Sequence, residues 1–374
     1  MIVAIDGYEA NVKNRVGIGR YAYEIIWGIY NSRKSKIDSF IIYLPDAPLS
    51  DLPTETEWWM YRIAKPKRFW TVIGLPLALW LTSPKPDIIF SPTHYIPRFT
   101  KVPRVMSVMD LSYLKFPELF RAKDLHQLIH WTKYSVSHAK AIFTISQFSK
   151  NDIIKTYRVE PKQVVVTYPG LNMAIKSKVE NKYQISKHYI LSVGTIQPRK
   201  NYTRLIAAFS EFLKLNKQRF GEIDLVIVGK KGWMVEDILE APKTYHVENR
   251  VKFLDFVPDG DLPALYHGAL CFALPSLYEG FGLPVLEAMA QGCPVVVSHV
   301  SSLPEIAGEA GVYVDPTSVE SITKGLLTAV RQRNLMQGKI RVKKGLEQVK
   351  KFSWDTAAKQ TLEVLTQIGK GRTS

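Results

Sequence analysis

The sequence predicts an α/β protein with two doubly wound domains, each built on a parallel sheet. Short β-branched runs alternate with longer amphipathic stretches along all 374 residues. Some runs are continuously apolar, such as 225–228 and 294–297, which is typical of strands buried on both faces of a parallel sheet. At roughly 150 residues per domain, the length also fits two domains with cores of their own.

The order of elements follows from these runs. Strands are predicted in the first half at Met1–Asp6, Phe40–Leu44, Asp87–Ser91, Val105–Met109, Ala141–Ser146 and Gln163–Tyr168. In the second half they are predicted at Tyr189–Gly194, Asp224–Gly229, Val251–Leu254, Leu270–Leu274, Pro294–Ser298 and Gly311–Val314. Clear helical patterns lie between strands and at the end of the chain, at Tyr21–Tyr30, Leu125–His138, Tyr202–Leu215 and Thr356–Ile368. Strand–helix alternation that runs twice predicts two such domains in series.

A polar stretch marks the expected boundary. It follows a Tyr-Pro-Gly turn at 168–170 and precedes a fresh strand. We therefore expect an N-terminal domain at 1–170, a linker at 171–187 and a C-terminal domain at 188–352. The last helix, within 353–374, is expected to cross back to the N-terminal domain.

Composition narrows the class of protein. Two cysteines, Cys271 and Cys293, cannot form a disulfide framework, which suggests a reducing compartment. The eight histidines are scattered, so no metal site is predicted. The N-terminus has a buried-strand pattern without the basic start and apolar core of a secretory signal. A cytoplasmic protein is expected.

The charge is strongly positive and uneven. The chain has 50 Lys and Arg against 34 Asp and Glu, a net charge of +16. Residues 1–187 carry 27 basic and 15 acidic residues (+12), whereas 188–374 carry 23 and 19 (+4). Three kinds of partner could explain this excess: a nucleic acid, an anionic membrane surface or an anionic small substrate.

One segment bears on the membrane alternative. Phe69–Thr82 is apolar and aromatic, and Lys65, Lys67 and Arg68 precede it. It is too short to span a bilayer, and Pro76 interrupts it. It could lie on an anionic membrane surface, or it could be a core helix with a solvated basic lead-in.

Two loops after strands have the composition of anion-binding sites. Gly17 and Gly19 stand ahead of the first helix, where exposed backbone N–H groups can bind an anion, although a plain tight turn explains them equally well. Arg199 and Lys200 follow the strand Tyr189–Gly194. Adjacent cations at the carboxyl end of a parallel strand favour a phosphate ligand over a merely solvated loop.

The densest motif covers residues 275–288. Pro284 suits the first turn of a helix, and Gly280 and Gly282 precede that turn. Glu279 falls in the loop and Glu287 about one turn inside the helix, so both could face one cleft. A favourable interaction with the helix N-terminus would explain Glu287 alone, but not a glutamate in a glycine-rich loop.

With these motifs the sequence resembles, over essentially its whole length, the retaining glycosyltransferases of family 4. These enzymes have the GT-B fold, two facing Rossmann-like domains with a cleft between them. The resemblance is closest to bacterial mannosyltransferase-like members of surface polysaccharide assembly. It rests on the stretches 17–21, 144–149, 193–201, 304–308 and 352–354, and on the pair Glu279 and Glu287 around Gly-Phe-Gly-Leu-Pro.

The resemblance implies roles for individual residues. Arg199 and Lys200 would bind the donor diphosphate and neutralise the leaving group, Glu279 would contact the transferred sugar, and Glu287 would hold the ribose hydroxyls. Phe256 and Val257 would border the nucleotide base. The remaining donor-binding positions would be Gly17, Gly19, Gly280, Phe281, Gly282 and Leu283.

One position departs from the family pattern. Many members have His-Asp at the end of the strand Val105–Met109, whereas this chain has Met109 and Asp110. A thioether can neither donate a hydrogen bond nor shuttle a proton. Asp110 stays in the expected catalytic set, and His94 could compensate, although a structural role for this histidine is equally reasonable.

The function implied is transfer of a hexose, by resemblance mannose from GDP-mannose, to a glycan or lipid-linked acceptor with retention of configuration. The nucleotide sugar is a co-substrate, and no metal or other cofactor is expected. The only Asp-x-Asp match, Asp259 to Asp261, is read as a turn.

Three alternatives stay open at this stage: a family member that binds the donor without transferring it, a GT-B epimerase, and a nucleic-acid-binding protein. The charge of the first half favours an anionic membrane surface or a lipid-diphosphate acceptor. Either partner is compatible with a cytoplasmic protein that is peripheral on the inner face of the cytoplasmic membrane. Nucleic acid ranks third because no recognised binding motif is present.

Overall fold

A computed structural model describes residues 1–32, 37–171, 183–216 and 222–371. The chain divides into two compact units. The first unit contains Met1–Gly170 and Ser353–Ser374, and the second contains Leu171–Phe352. The last helix thus belongs to the first unit. Residues 172–182 of the predicted linker lie outside the described residues.

Strands and helices alternate through both units. The strands are β1 (Ile2–Asp6), β2 (Ser39–Leu44), β3 (Trp59–Ile63), β4 (Ile88–Ser91), β5 (Arg104–Ser107), β6 (Ala141–Thr144), β7 (Val164–Val166), β8 (His188–Val193), β9 (Ile223–Val228), β10 (Val251–Leu254), β11 (Cys271–Leu274), β12 (Val295–Ser298) and β13 (Gly311–Val314). The α-helices are α1 (Ile18–Asn31), α2 (Leu75–Leu81), α3 (Ser112–Lys115), α4 (Ala122–His138), α5 (Gln147–Tyr157), α6 (Tyr202–Leu215), α7 (Glu236–Thr244), α8 (Leu262–Gly268), α9 (Leu283–Ala290), α10 (Leu303–Ala307), α11 (Val319–Gln332), α12 (Met336–Val349) and α13 (Trp354–Lys370).

The first unit is built on a parallel sheet in the order β3-β2-β1-β4-β5-β6-β7. Val3 of the central strand pairs with Phe40 on one side and Ile88 on the other. Helices α1 and α13 pack together, and a Cβ added at Gly28 would lie 2.8 Å from the Cβ of Ala358. Glycine therefore allows this close helix contact. Ser353 caps α13 by accepting from the backbone N–H of Thr356, as expected of a serine there.

The second unit has the strand order β10-β9-β8-β11-β12-β13, also parallel throughout. In chain order within the unit this is 3-2-1-4-5-6, the doubly wound pattern in which the direction of winding reverses between β8 and β11. The apolar strand residues are fully buried against helices such as α6, which contributes Phe209 and Phe212 to the core. The prediction of two parallel-sheet domains is confirmed.

The sequence analysis missed one strand, β3. It lies at the edge of the first sheet, and exposure rises along it from Trp59 to Ile63. An edge strand with aromatic, basic and aliphatic residues on both faces has neither the continuous apolar run nor the strict alternation that marks other strands.

The apolar segment Phe69–Thr82 forms a π-helical turn, Trp70–Gly74, that continues into α2. It is neither fully buried nor fully solvated. Trp70, Leu75 and Leu79 are buried, whereas Ile73, Leu77 and Trp80 are exposed. Within the described parts of the chain, no helix combines the length and apolarity needed to cross a bilayer.

Candidate active site

The candidate site lies at the carboxyl ends of β8 and β11, two neighbouring strands at the centre of the second sheet. The winding reverses between these strands, and doubly wound domains generally have a ligand-binding crevice at such a point. The loop after β8 carries Arg199 and Lys200, and the loop after β11 carries Glu279.

A polar side chain locks the two loops together. Pro198–Lys200 forms a single 3₁₀ turn, and Asn201 follows it in the left-handed region at φ 63°. The Nδ2 of Asn201 donates to the carbonyls of Pro275 (2.9 Å) and Pro316 (2.7 Å). The backbone N–H of Leu277 donates to Arg199 O at 2.9 Å. These bonds fix the backbone of the loop that carries the two cations.

Glu279 is the centre of a buried ion-pair network. Lys200 Nζ lies 2.6 Å from Glu279 Oε1, and Arg199 Nη1 lies 3.2 Å from Oε2. The hydroxyl of Ser276 also donates to Oε1, at 2.7 Å. Arg199 Nη1 further donates to the Tyr278 carbonyl at 2.5 Å. The glutamate thus holds both cations in fixed positions at the switch point, the place between β8 and β11 where the winding of the sheet reverses.

Burial and charge act on Glu279 in opposite directions. Removal from water raises the pKa of its carboxyl, but the charges of Lys200 and Arg199, with hydrogen bonds from Lys200 and Ser276, outweigh this effect and hold the pKa at about 2. Only 7% of the Glu279 side chain and 9% of the Lys200 side chain are exposed. The glutamate is therefore ionised at neutral pH and is not suited to act as a general acid.

Glycine is required where the loop enters α9. Gly282 has φ 106°, and a Cβ there would lie 2.7 Å from Leu303 Cδ2. Pro284 sits in the first turn of α9, as predicted. Ser302 Oγ lies within hydrogen-bond distance of the carbonyl oxygens of Glu279 (2.9 Å) and Phe281 (2.8 Å), and its single hydrogen can be donated to either or shared between them. This contact fixes the loop from the side of the next strand.

Glu287 lies in α9 with a different partner. Its Oε2 accepts a 2.6 Å hydrogen bond from the hydroxyl of Tyr266, a fully buried side chain of α8. Burial and the neighbouring carboxylate raise the pKa of this tyrosine, so the hydroxyl stays protonated and remains a donor. The bond orients the Glu287 carboxylate.

The other predicted donor-binding residues of this unit differ in exposure. Phe256 is 67% exposed and stands beside Lys230, whose ammonium lies 5.6 Å from the ring centroid. Val257 is buried, as are Gly280 and Phe281. Phe281 packs edge-on against Phe352 at 5.6 Å. Leu283 begins α9.

Two predicted glycines lie in the first unit, ahead of α1. Gly17 is the N-cap residue of α1, with φ 52° and open space around it. Gly19 is buried, and a Cβ there would lie 3.1 Å from the carbonyl oxygen of Glu9. The first position therefore needs glycine for its backbone conformation, and the second for its close approach to the loop after β1.

Asp110 and Met109 follow β5 in the same unit. Asp110 Oδ1 accepts from the backbone N–H of Ser112, the first residue of the short helix α3, at 2.8 Å. The backbone N–H of Met109 donates to His94 Nε2 at 3.1 Å. Nδ1 of His94 must then carry the proton, and it has no hydrogen-bond partner among the described residues. Burial lowers the pKa of His94 to about 4. His94 thus fixes the Met109 backbone as a neutral imidazole.

The sequence analysis did not find the residues that hold the site together. The contacts described above are made by four polar residues: Ser276, Ser302, Asn201 and Tyr266. Nothing in the sequence around them indicates these contacts. Only Asn201 had a signal, as the residue between a basic turn and a helix. The Asp259–Asp261 turn is confirmed, and the described residues contain no group of three potential metal ligands.

Comparison with known proteins agrees with this geometry. The family description "Glycosyl transferases group 1" matches residues 175–343. The chain is 33% identical over 319 residues to O-antigen chain mannosyltransferase B of Escherichia coli. The aligned region covers 81% of this chain and 78% of that protein. It is 31% identical over 240 residues to the serotype-specific mannosyltransferase WbdA of E. coli, over 62% of this chain but only 29% of that protein.

A solved structure shares the fold. Sucrose-phosphate synthase from Thermosynechococcus elongatus superimposes with a TM-score of 0.73, covering 98% of this chain and 99% of that chain at 16% identity. This match confirms the expected GT-B fold class. Family match, sequence identity and fold agree, and the chain belongs to the group 1 glycosyl transferases.

Proposed function

We propose that this glycosyltransferase transfers mannose from GDP-mannose to a glycan or lipid-linked saccharide, with retention of configuration and without a metal ion. The observation that carries the proposal is the buried network of Glu279 with Lys200 and Arg199 at the switch point of the second unit. Two fixed cations and a helix N-terminus at one crevice suit a diphosphate leaving group.

The reaction develops charge where these cations stand. As the bond between C1 of the sugar and the phosphate oxygen breaks, negative charge builds on the departing diphosphate. Lys200 and Arg199 are already desolvated and held in place by Glu279, so they stabilise that charge without reorganising. In enzymes that use a divalent cation, the metal stabilises this charge instead.

In this proposal Glu279 positions the two cations and does not transfer a proton. A carboxyl with a pKa of about 2 cannot donate a proton at neutral pH. In the proposed reaction an acceptor hydroxyl attacks C1 from the face that the diphosphate leaves. The acceptor oxygen bonds to C1, the bond from C1 to the phosphate oxygen breaks, and the acceptor proton passes to the leaving phosphate. The product keeps the configuration of the donor.

The choice of mannose rests on the relatives. Both E. coli proteins compared above are named mannosyltransferases, and one acts on the O-antigen chain. We extend both properties to this chain as a proposal, so that its acceptor would be a growing surface polysaccharide or its lipid-linked precursor. Such an acceptor would bring the enzyme to the inner face of the cytoplasmic membrane.

A screen of nucleotide sugars tests the donor. A ligand at one hundred times its Kd stabilises the folded state by about 2.7 kcal/mol, which a thermal-shift assay detects readily. GDP-mannose is expected to raise the unfolding midpoint more than UDP-glucose or UDP-galactose. A larger shift with a uridine donor would reject GDP-mannose as the donor.

A transfer assay tests two other parts of the proposal, the independence from a metal ion and the retention of configuration. With radiolabelled donor and a lipid-linked mannosyl acceptor, transfer is expected to continue after treatment with EDTA. The one-bond C–H coupling of the new anomeric centre should show the donor's configuration. Inverted product or loss of transfer with EDTA would contradict the mechanism.

A further inference from the structure

The segment Phe69–Leu81 in the first unit carries an exposed apolar stripe. We define the stripe as its five large apolar residues with exposed fractions from 43% to 72%: Phe69, Ile73, Leu77, Trp80 and Leu81. Positions 69, 73, 77 and 81 are spaced by four, so they follow one face of the helical segment. Large apolar residues rarely cluster on an exposed surface without a binding role.

The opposite face anchors the segment to the core. Trp70, Leu75 and Leu79 are buried, and Trp70 Nε1 donates to the Oδ1 of buried Asp6 at 2.9 Å. That hydrogen bond ties the π-helical turn to the end of the central strand β1. Because the inner face of the segment is anchored in the core, the stripe on the opposite face is held at the surface.

The sequence around the stripe carries only positive charges. From Trp58 to Pro86 the sequence has no Asp or Glu, and its five cations are Arg62, Lys65, Lys67, Arg68 and Lys85. Asp46 pairs with Lys65 (3.1 Å) and Lys67 (2.8 Å), but both lysines remain more than half exposed. Arg68 lies over the Phe69 ring at 5.0 Å, which places a cation at the start of the stripe.

A neighbouring loop adds a further apolar side chain. The backbone N–H of Arg98 donates to the carbonyl of Thr71 at 2.8 Å, which ties this loop to the π-helical turn. The next residue, Phe99, is 82% exposed.

These observations point to one occupant. We infer that the stripe docks the first unit on an anionic lipid bilayer, with the segment lying in the plane of the interface. An apolar face with a tryptophan and a rim of lysine and arginine fits the boundary between anionic headgroups and acyl chains. A second protein copy would bring the same net positive rim against itself, which opposes self-association.

The inference deepens the proposed acceptor class, since a lipid-linked acceptor lies in such a bilayer. Its test needs no sugar donor, so the two proposals can fail separately. Cosedimentation of the full chain is measured with vesicles of phosphatidylcholine alone and with phosphatidylcholine and phosphatidylglycerol mixed about two to one. The wild type is expected to bind the anionic vesicles and to bind the neutral ones at least about tenfold more weakly.

Variants at the stripe separate its two contributions. Trp80→Gln with Leu81→Gln is expected to weaken binding to the anionic vesicles by about tenfold or more. Arg68→Gln is expected to weaken it by about fivefold on the anionic vesicles and to have no effect on the neutral ones. These side chains are exposed, so the unfolding midpoint should not change.

A matched control removes equally exposed apolar residues elsewhere. Leu335 and Met336, beside and in α12 of the second unit, are 50% and 71% exposed. Leu335→Gln with Met336→Gln should bind vesicles as the wild type does. Wild-type binding by the Trp80/Leu81 variant would overturn the inference. A dimer without vesicles that the same variant turns into a monomer would also overturn it, because a second copy would then occupy the stripe.

Discussion

Replacing Lys200 by methionine tests the buried network most sharply. The substitution keeps the length and apolar part of the side chain but removes the ammonium that lies 2.6 Å from Glu279. Glu279 then remains buried with Arg199, the weaker partner at 3.2 Å. We expect a large loss of folding stability, because a buried carboxylate loses its nearest charge.

The magnitude follows from the pKa. A carboxyl that titrates near 2 in the folded protein instead of 4.5 has its ionised form favoured by about 3 kcal/mol. Breaking one side of a buried pair costs about 3 to 5 kcal/mol in general. Lys200→Met should therefore lower the free energy of unfolding by about 3 kcal/mol at pH 7, with Arg199 limiting the loss.

Urea unfolding measures this change. The matched control is Lys324→Met, which breaks a surface pair of the same unit with Glu320 at 2.6 Å, where both side chains are more than 70% exposed. That variant should lose at most about 0.5 kcal/mol. If Lys200→Met unfolds at the same urea concentration as Lys324→Met, the buried network does not contribute as described.

The same pair predicts a pH dependence. Because the pKa of Glu279 is depressed by folding, its contribution is complete above pH 4.5 and is lost as the pH falls towards 2. The stability gap between wild type and Glu279→Gln should accordingly be constant from pH 5 to 7 and should shrink below pH 4.5. A gap that widens on acidification would refute the assigned sign.

Three further substitutions, the first with its own control, test residues of both units. Gly282→Ala should destabilise the protein by about 1 to 3 kcal/mol, because it adds a clash with Leu303 to a left-handed backbone. Gly292→Ala, also left-handed but with its nearest neighbour at 3.6 Å, should cost less, and equal urea midpoints would argue against the clash. Glu287→Gln is expected to raise the KM for the donor by about tenfold with little change in kcat, if this carboxylate holds the ribose; an unchanged KM would remove it from the donor site. Met109→His should preserve or raise the transfer rate, whereas a loss of transfer would show that the thioether itself is needed at this position.

The fold could be predicted from the sequence because its strands are buried on both faces. The runs that form β9 and β12 are continuously apolar, and such runs alternate with amphipathic helices. The edge strand β3 escaped prediction since half of it faces solvent. The order of the strands could not be predicted from the sequence either, because the neighbours and register of each strand depend on packing between distant segments.

The candidate site could be predicted only in part. Arg199, Lys200 and Glu279 stand out because charges beside glycines and prolines after buried strands are unusual. That they form one buried ion-pair network is not visible in a sequence in which 78 residues separate Lys200 from Glu279. The sequence likewise gives no sign that Tyr266 orients Glu287, or that the apolar segment after Arg68 presents one face outward.

Calorimetric titration with GDP-mannose tests the central claim most directly, that fixed cations at this switch point bind the donor diphosphate. The titration compares the wild type with Lys200→Gln and with the surface control Lys324→Gln. We predict that the wild type and the control bind equally, and that Lys200→Gln binds at least about tenfold more weakly, since a charge-assisted hydrogen bond is lost. Equal affinity in all three proteins would contradict the account.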